Sequence, residues 1–157
     1  MRVVEIAAAL VVAFMVQTLG GRYFWPLQTY LDLFLVTAVA FGVVRGRTTG
    51  MLSGTVGGLI QDAFSGGLLG LNGLSKTTVG YLAGIVSRWL IVRGWAARFL
   101  FFFLASAVDL LILAIVGLAI ERPAVIDDAV SALILCAGNG LVGTIVLGLV
   151  DRNQKPS

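Results

Sequence analysis

Along this chain, apolar runs close to the length of a bilayer-crossing helix alternate with short polar or glycine-rich breaks. The breaks fall at residues 21–26, 45–48, 65–70, 93–96, 121–124 and from 151 onward. Between them lie six apolar segments, at 3–20, 27–44, 48–64, 71–92, 96–120 and 127–150. Each is near the roughly 20 residues that a helix rising about 1.5 Å per residue needs to cross hydrocarbon. The pattern predicts an all-α integral membrane protein, a bundle of six transmembrane helices forming one domain over residues 1–157. Charge-free length alone misses most of these spans. Only 129–150 exceeds about 18 consecutive uncharged residues, because Asp32, Asp62, Lys76 and Asp109 interrupt other runs.

The breaks are so short that neighbouring spans must be antiparallel, and basic residues then give the orientation. With the N-terminus inside, Arg2, Arg45, Arg47, Arg88, Arg93, Arg98, Arg152 and Lys155 all face the cytoplasm, and Arg22 and Arg122 face outward. That bias is the positive-inside pattern, with both ends in the cytoplasm. Tyr23, Phe24 and Trp25 fall at the expected outer boundary, and Trp89 and Trp95 at the inner one. Arg2 before an apolar stretch resembles a signal peptide, but 3–20 is long for one and ends without a clear small-x-small cleavage site, so a retained span is expected.

Composition agrees with lipid as the solvent. The chain is 59% apolar and 12% charged, with a mean hydropathy of +1.00, against about a quarter charged residues in soluble domains. Its net charge of +3 comes from basic residues scattered between apolar runs, which argues for orientation and against a nucleic-acid partner. One cysteine, Cys136, rules out an intrachain disulfide, and the lack of histidine removes the commonest general base and zinc ligand. No nucleophile-base spacing is visible, so neither an enzyme nor a cofactor is expected.

Small residues mark helix-packing faces. Gly50, Gly54 and Gly58 recur at intervals of four ahead of Asp62, and Gly73, Thr77, Gly80 and Gly84 repeat the theme in the next span. These faces serve packing within the bundle or a partner chain. Ala9 and Ala13 form a further small pair, and Gly138, Gly140 and Gly143 surround Asn139, an amide that should seek an interhelical hydrogen bond. Intramembrane charges are the sharper signal, because each costs about 2.5–3.5 kcal/mol on insertion scales. By depth, Asp32, Asp62 and Lys76 fall together in the outer half of the membrane and Asp109 nearer the middle of its span. Lys76 is therefore expected to neutralise Asp62, with Asp32 as a competing or third partner, for structure or for a proton, ion or ligand pathway. Residues 70–77 are one substitution from a phosphate-binding loop, with Ser75 in place of its last glycine, but no strand precedes them.

The order of features, from the Asp32 span through Gly50 to Asp62, the hairpin SGGLLGLNGLSK at 65–76 and Gly80-Tyr81-Leu82-Ala83-Gly84, resembles the rod shape-determining MreD family over essentially the whole chain. The resemblance implies a non-catalytic membrane scaffold in the cell-elongation machinery that supports sidewall peptidoglycan synthesis. Its implied partners are a bitopic MreC-type protein and, through it or directly, an MreB-type filament and the SEDS glycosyltransferase and transpeptidase pair. It also implies a fold similar to the S-components of energy-coupling-factor vitamin transporters. The alternative function is thus a substrate-binding subunit of that kind, with Asp32, Asp62 and Lys76 lining a pocket and Ala9 and Ala13 resembling the motif used against the coupling partner.

Overall fold

The computed structural model describes residues 2–23, 30–66, 68–90, 94–121 and 128–153. Among them the chain is all helical, with α1 (Arg2–Tyr23), α2 (Leu33–Arg45), α3 (Arg47–Ser65), α4 (Leu71–Val86), α5 (Trp95–Ala119) and α6 (Ala129–Asn153). The side chains of Arg22 and Tyr23, and Phe24, Trp25, Arg93, Arg122 and Lys155 altogether, lie outside the described residues. Helices α5 and α6 are long and apolar enough to cross a membrane; Val4–Leu19 and Leu33–Arg45 are shorter apolar helices.

Helix α2 is the centre of the bundle. Phe34, Leu35, Val36, Ala38, Val39, Ala40 and Gly42 are all buried, so this helix is apolar around most of its circumference, as an interior helix must be. Leu35, Val36, Val39 and Ala40 pack on Val79 and Ala83 of α4, Phe102 of α5 and Leu147 of α6. On its other side Phe34 meets Leu10 and Ala13 of α1. Ala13 is thereby spent inside the chain.

The start of α2 differs from expectation. The apolar run begins at residue 27, but the helix begins at Leu33 because Asp32, in an extended conformation, caps it and accepts a hydrogen bond from the Leu35 N–H. An aspartate in that position satisfies one of the orphan donors of the first turn and stops the helix. Helix α4 likewise ends at Val86 rather than at residue 92, closing in the turns that carry Arg88 and Trp89.

Helices α3 and α4 form a hairpin whose backbones nearly touch. A Cβ on Gly50 would land on the Gly80 carbonyl, one on Gly54 on the Lys76 carbonyl, and one on Gly58 within 2.6 Å of the Asn72 carbonyl carbon and the Gly73 Cα. Gly84 meets Arg47 in the same way. The hairpin turns through Gly66 and Gly70, both in the left-handed region that L side chains avoid. Thr55 and Thr77 hydroxyls join across the contact at 2.7 Å. Helices α5 and α6 pack by a different device, with the Phe102 and Phe99 rings lying where Cβ atoms on Gly143 and Gly140 would stand. Arg45 pairs with Glu5, and Arg98 with Asp151, tying α1 to α2 and α5 to α6 at the end of the bundle where α2 ends and α3 begins.

Candidate functional site

The polar interior of the bundle grows out of the buried start of α2 at Leu33. A helix that begins inside a protein leaves its first N–H groups without partners, and each such group buried unpaired costs about 1–3 kcal/mol. Two side chains answer that need. The Asp32 carboxylate takes the Leu35 N–H at 3.0 Å, and the Asn139 carboxamide oxygen on α6 takes the Asp32 N–H at 2.8 Å. Asn139 in turn donates through Nδ2 to the Ser106 Oγ of α5 at 3.1 Å. The amide expected to seek an interhelical bond thus bridges α6 to both α2 and α5.

The capping carboxylate brings a negative charge into the core, and Lys76 of α4 meets it. Its Nζ lies 2.8 Å from Asp32 Oδ2 and 3.6 Å from Asp109 Oδ2, with no accessible side-chain surface left. Asn72, one turn earlier on α4, offers its Oδ1 to the same ammonium at 3.1 Å. The three donors of Lys76 therefore face three acceptors, the arrangement that makes a buried ammonium tolerable. Asp109 is further held by the Ser75 hydroxyl at 2.5 Å.

Asp62 occupies a different position from the one its depth suggested. It is not the ion-pair partner of Lys76. Its carboxylate sits over the N-terminus of α4 and accepts from the backbone N–H groups of Gly70 at 2.9 Å, Asn72 at 3.1 Å and Gly73 at 3.1 Å. The Asn72 side-chain amide adds a fourth bond at 2.9 Å. A carboxylate at a helix N-terminus satisfies orphan donors and opposes the helix dipole, so Asp62 acts as a cap supplied by the neighbouring helix. It also fills the position an anion would take at residues 70–77, where the near-match to a phosphate-binding loop lies. Asn72 links the two systems, with its amide nitrogen on Asp62 and its oxygen on Lys76.

Depth fails to separate these partners because three helices bring acids to one level. Asp109, expected by itself near the middle of its span, joins the cluster that Asp32 and Lys76 form, and Asp62 is diverted to backbone donors. Ser106 is a cluster member that sequence reasoning passed over, and Ser75 was read there only as a departure from a phosphate-binding loop; both are fully buried hydroxyls in apolar helices, and Ser75 immediately precedes the lysine. Among the described residues no group of three or more potential metal-ligating side chains comes together.

A helical bundle with two helices long and apolar enough to cross a membrane, glycine-faced packing and interior charges engaged in ion pairs and hydrogen bonds fits a membrane protein built around internal polar pins. The family model described as "rod shape-determining protein MreD" matches residues 2–137, and the chain belongs to that family. No curated protein and no solved structure matches the chain.

Proposed function

We propose that this chain is a non-catalytic scaffold subunit of the cell-elongation machinery. In this reading it crosses the bacterial inner membrane six times with both ends in the cytoplasm, and it binds an MreC-type bitopic partner during sidewall peptidoglycan synthesis. Membership of the rod shape-determining family carries the reading. The excess of basic residues on one set of turns supports the orientation. Helices α2 and α4 cover only about 20 and 24 Å of the roughly 30 Å of hydrocarbon, so their crossings depend on the residues before Asp32 and after Val86. A helix that starts at depth is compatible with lipid when it is buried in protein, and α2 is so buried.

The interior favours a scaffold over a chemical site. Lys76, Asp32, Asp109 and Asn72 satisfy one another, and Asp62 is saturated by N–H groups, so the charged side chains hold helices together. The small-residue faces of α3 and α4 are turned on each other, which leaves partners the exposed apolar faces of the bundle, on α1, α5 and α6 and on the outer sides of α3 and α4. On α5 these include Leu104, Leu111, Ile115 and Leu118. An MreB-type filament and the SEDS glycosyltransferase and transpeptidase pair would be reached through the MreC-type protein or through the short cytoplasmic turns.

The transporter alternative draws less support, because Asp32 and Lys76 are engaged with each other, Asp62 is engaged with backbone N–H groups and Ala13 faces Phe34. Purification from membranes of a rod-shaped bacterium tests both readings. Capture of the MreC-type partner with no bound vitamin is the expected result; a stoichiometric vitamin with no such partner would establish the transporter reading instead.

A further inference from the structure

At the end of the bundle where α2 passes into α3, a cavity of about 440 Å³ is lined by Arg47, Ile85, Arg88 and Trp89. Its two cations come from different elements. Arg47 is the first residue of α3, and its backbone packs so closely on Gly84 of α4 that an added Cβ there would land on it. Arg88 lies in the turns that close α4. Its Nη2 would stand 3.7 Å from a Cβ on Gly46, so the guanidinium reaches over to the α2–α3 turn. Ile85 supplies an apolar wall, and the Trp89 side chain is 84% exposed.

Charge at this end of the bundle is out of balance. Glu5 is taken by Arg45 and Asp151 by Arg98, while the interior acids are engaged with Lys76 or with backbone N–H groups. Glu121 and Asp128 lie at the opposite end, after α5 and before α6. Among the described residues no acid pairs with Arg47 or Arg88. Both arginines are exposed, so their guanidinium groups are available to a molecule that enters the cavity. Two such forked donors on one cavity match the oxygens of a phosphate and repel a cation. The surroundings point to a phosphate carried by a lipid. An indole settles at the headgroup level of a bilayer, and Val86 and Leu90, beside the cavity residues in the chain, are exposed apolar side chains. A soluble phosphate would use only the arginines.

We propose that this cavity binds the headgroup of an anionic phospholipid, of the phosphatidylglycerol kind. Arg47 and Arg88 hold the phosphate, Trp89 flanks the headgroup, and the acyl chains run along the α4 surface that carries Val86 and Leu90. Zwitterionic lipids bring a cation of their own toward the arginines and are disfavoured. The inference rests on the membrane reading above and not on the scaffold role.

Fluorescence of Trp89 reads the site directly. Trp25→Phe and Trp95→Phe leave it as the single tryptophan of the full chain, which is reconstituted in vesicles where either phosphatidylglycerol or phosphatidylcholine carries brominated, quenching acyl chains. The anionic lipid should be held beside Trp89 about fivefold or more over phosphatidylcholine, the factor given by about 1 kcal/mol for one arginine near the membrane surface. Arg47→Gln and Arg88→Gln should each lower that ratio and together bring it close to one. Arg152→Gln, which removes an exposed cation outside the cavity, should leave it unchanged. Equal quenching by the two lipids with both arginines in place overturns the proposal. A loss in Arg152→Gln as large as that in Arg88→Gln overturns it too, by reducing the effect to the general attraction of a basic surface. Inorganic phosphate, compared with chloride at equal ionic strength, should not alter the ratio; its collapse would assign the cavity to a soluble anion instead of a lipid. Both leaflets hold the same lipids, so the ratio does not depend on which end faces the cytoplasm. Labelling of Thr48→Cys from outside intact cells would overturn that orientation separately, and capture of the MreC-type partner tests the scaffold reading.

Discussion

At the scale of single residues, the consequence of burying Lys76 is that its acids depend on it. Replacing it with methionine leaves Asp32 and Asp109 facing one another in the core, and breaking a buried pair from one side costs about 3–5 kcal/mol. Lys76→Met should therefore destabilise the protein by about that much in reversible unfolding in mixed micelles. Asp62→Asn keeps one oxygen over the α4 N-terminus but turns its NH2 against two N–H donors, each left unpaired at about 1–3 kcal/mol. A direct Lys76–Asp62 pair would make the double variant cost about 3 kcal/mol less than the sum of the two single losses, so that shortfall would contradict the geometry, which predicts a sum held to within about 1 kcal/mol. Asn139→Leu removes the acceptor of the Asp32 N–H, and a loss of about 1–3 kcal/mol is expected. Residue type and depth were enough to mark Asp32, Asp62, Lys76, Asp109 and Asn139 as the interior polar set. Their pairing was not legible, because which acid meets the lysine depends on where α2 starts and on how α4 presents its N–H groups.

At the scale of helices, glycines separate into those that permit contact and those that do not. A methyl group on Gly54 would meet the Lys76 carbonyl and force α3 from α4, so Gly54→Ala should lower stability by about 1–3 kcal/mol, as overpacking does. On α6, a Cβ at Gly148 would meet only the end of the flexible Arg98 side chain, at 3.4 Å. Gly148→Ala should then be neutral or stabilise by up to about 1 kcal/mol through helix propensity. Thermal unfolding of the two variants reads the opposite signs directly, and a shared sign would contradict the packing described. The four-residue spacing in α3 was readable as a packing face, and the structure supplies its partner in α4. Helices α5 and α6 follow the hydropathy pattern to within a few residues at each end. The start of α2 does not follow it, since an apolar window is indifferent to a capping aspartate.

At the scale of the whole molecule, the interior engages its charged groups in ion pairs and hydrogen bonds and large apolar side chains cover much of the exterior, the division of labour expected of a scaffold in lipid. Tryptophan substitutions along the exposed stripe of α5 at Leu104, Leu111, Ile115 and Leu118 should leave unfolding midpoints within a few degrees, since surface changes away from special features are usually within about 0.5 kcal/mol. At least one should abolish capture of the MreC-type partner if α5 forms that contact; capture surviving all four would move the contact to another exposed apolar face of the bundle. The central claim, that this bundle serves elongation of the cell wall, is tested most directly by depleting the protein in a rod-shaped cell and measuring cell length against width over successive divisions. The account predicts progressive rounding, reversed when the unaltered chain is restored; rods that keep their dimensions after the protein is gone would contradict it.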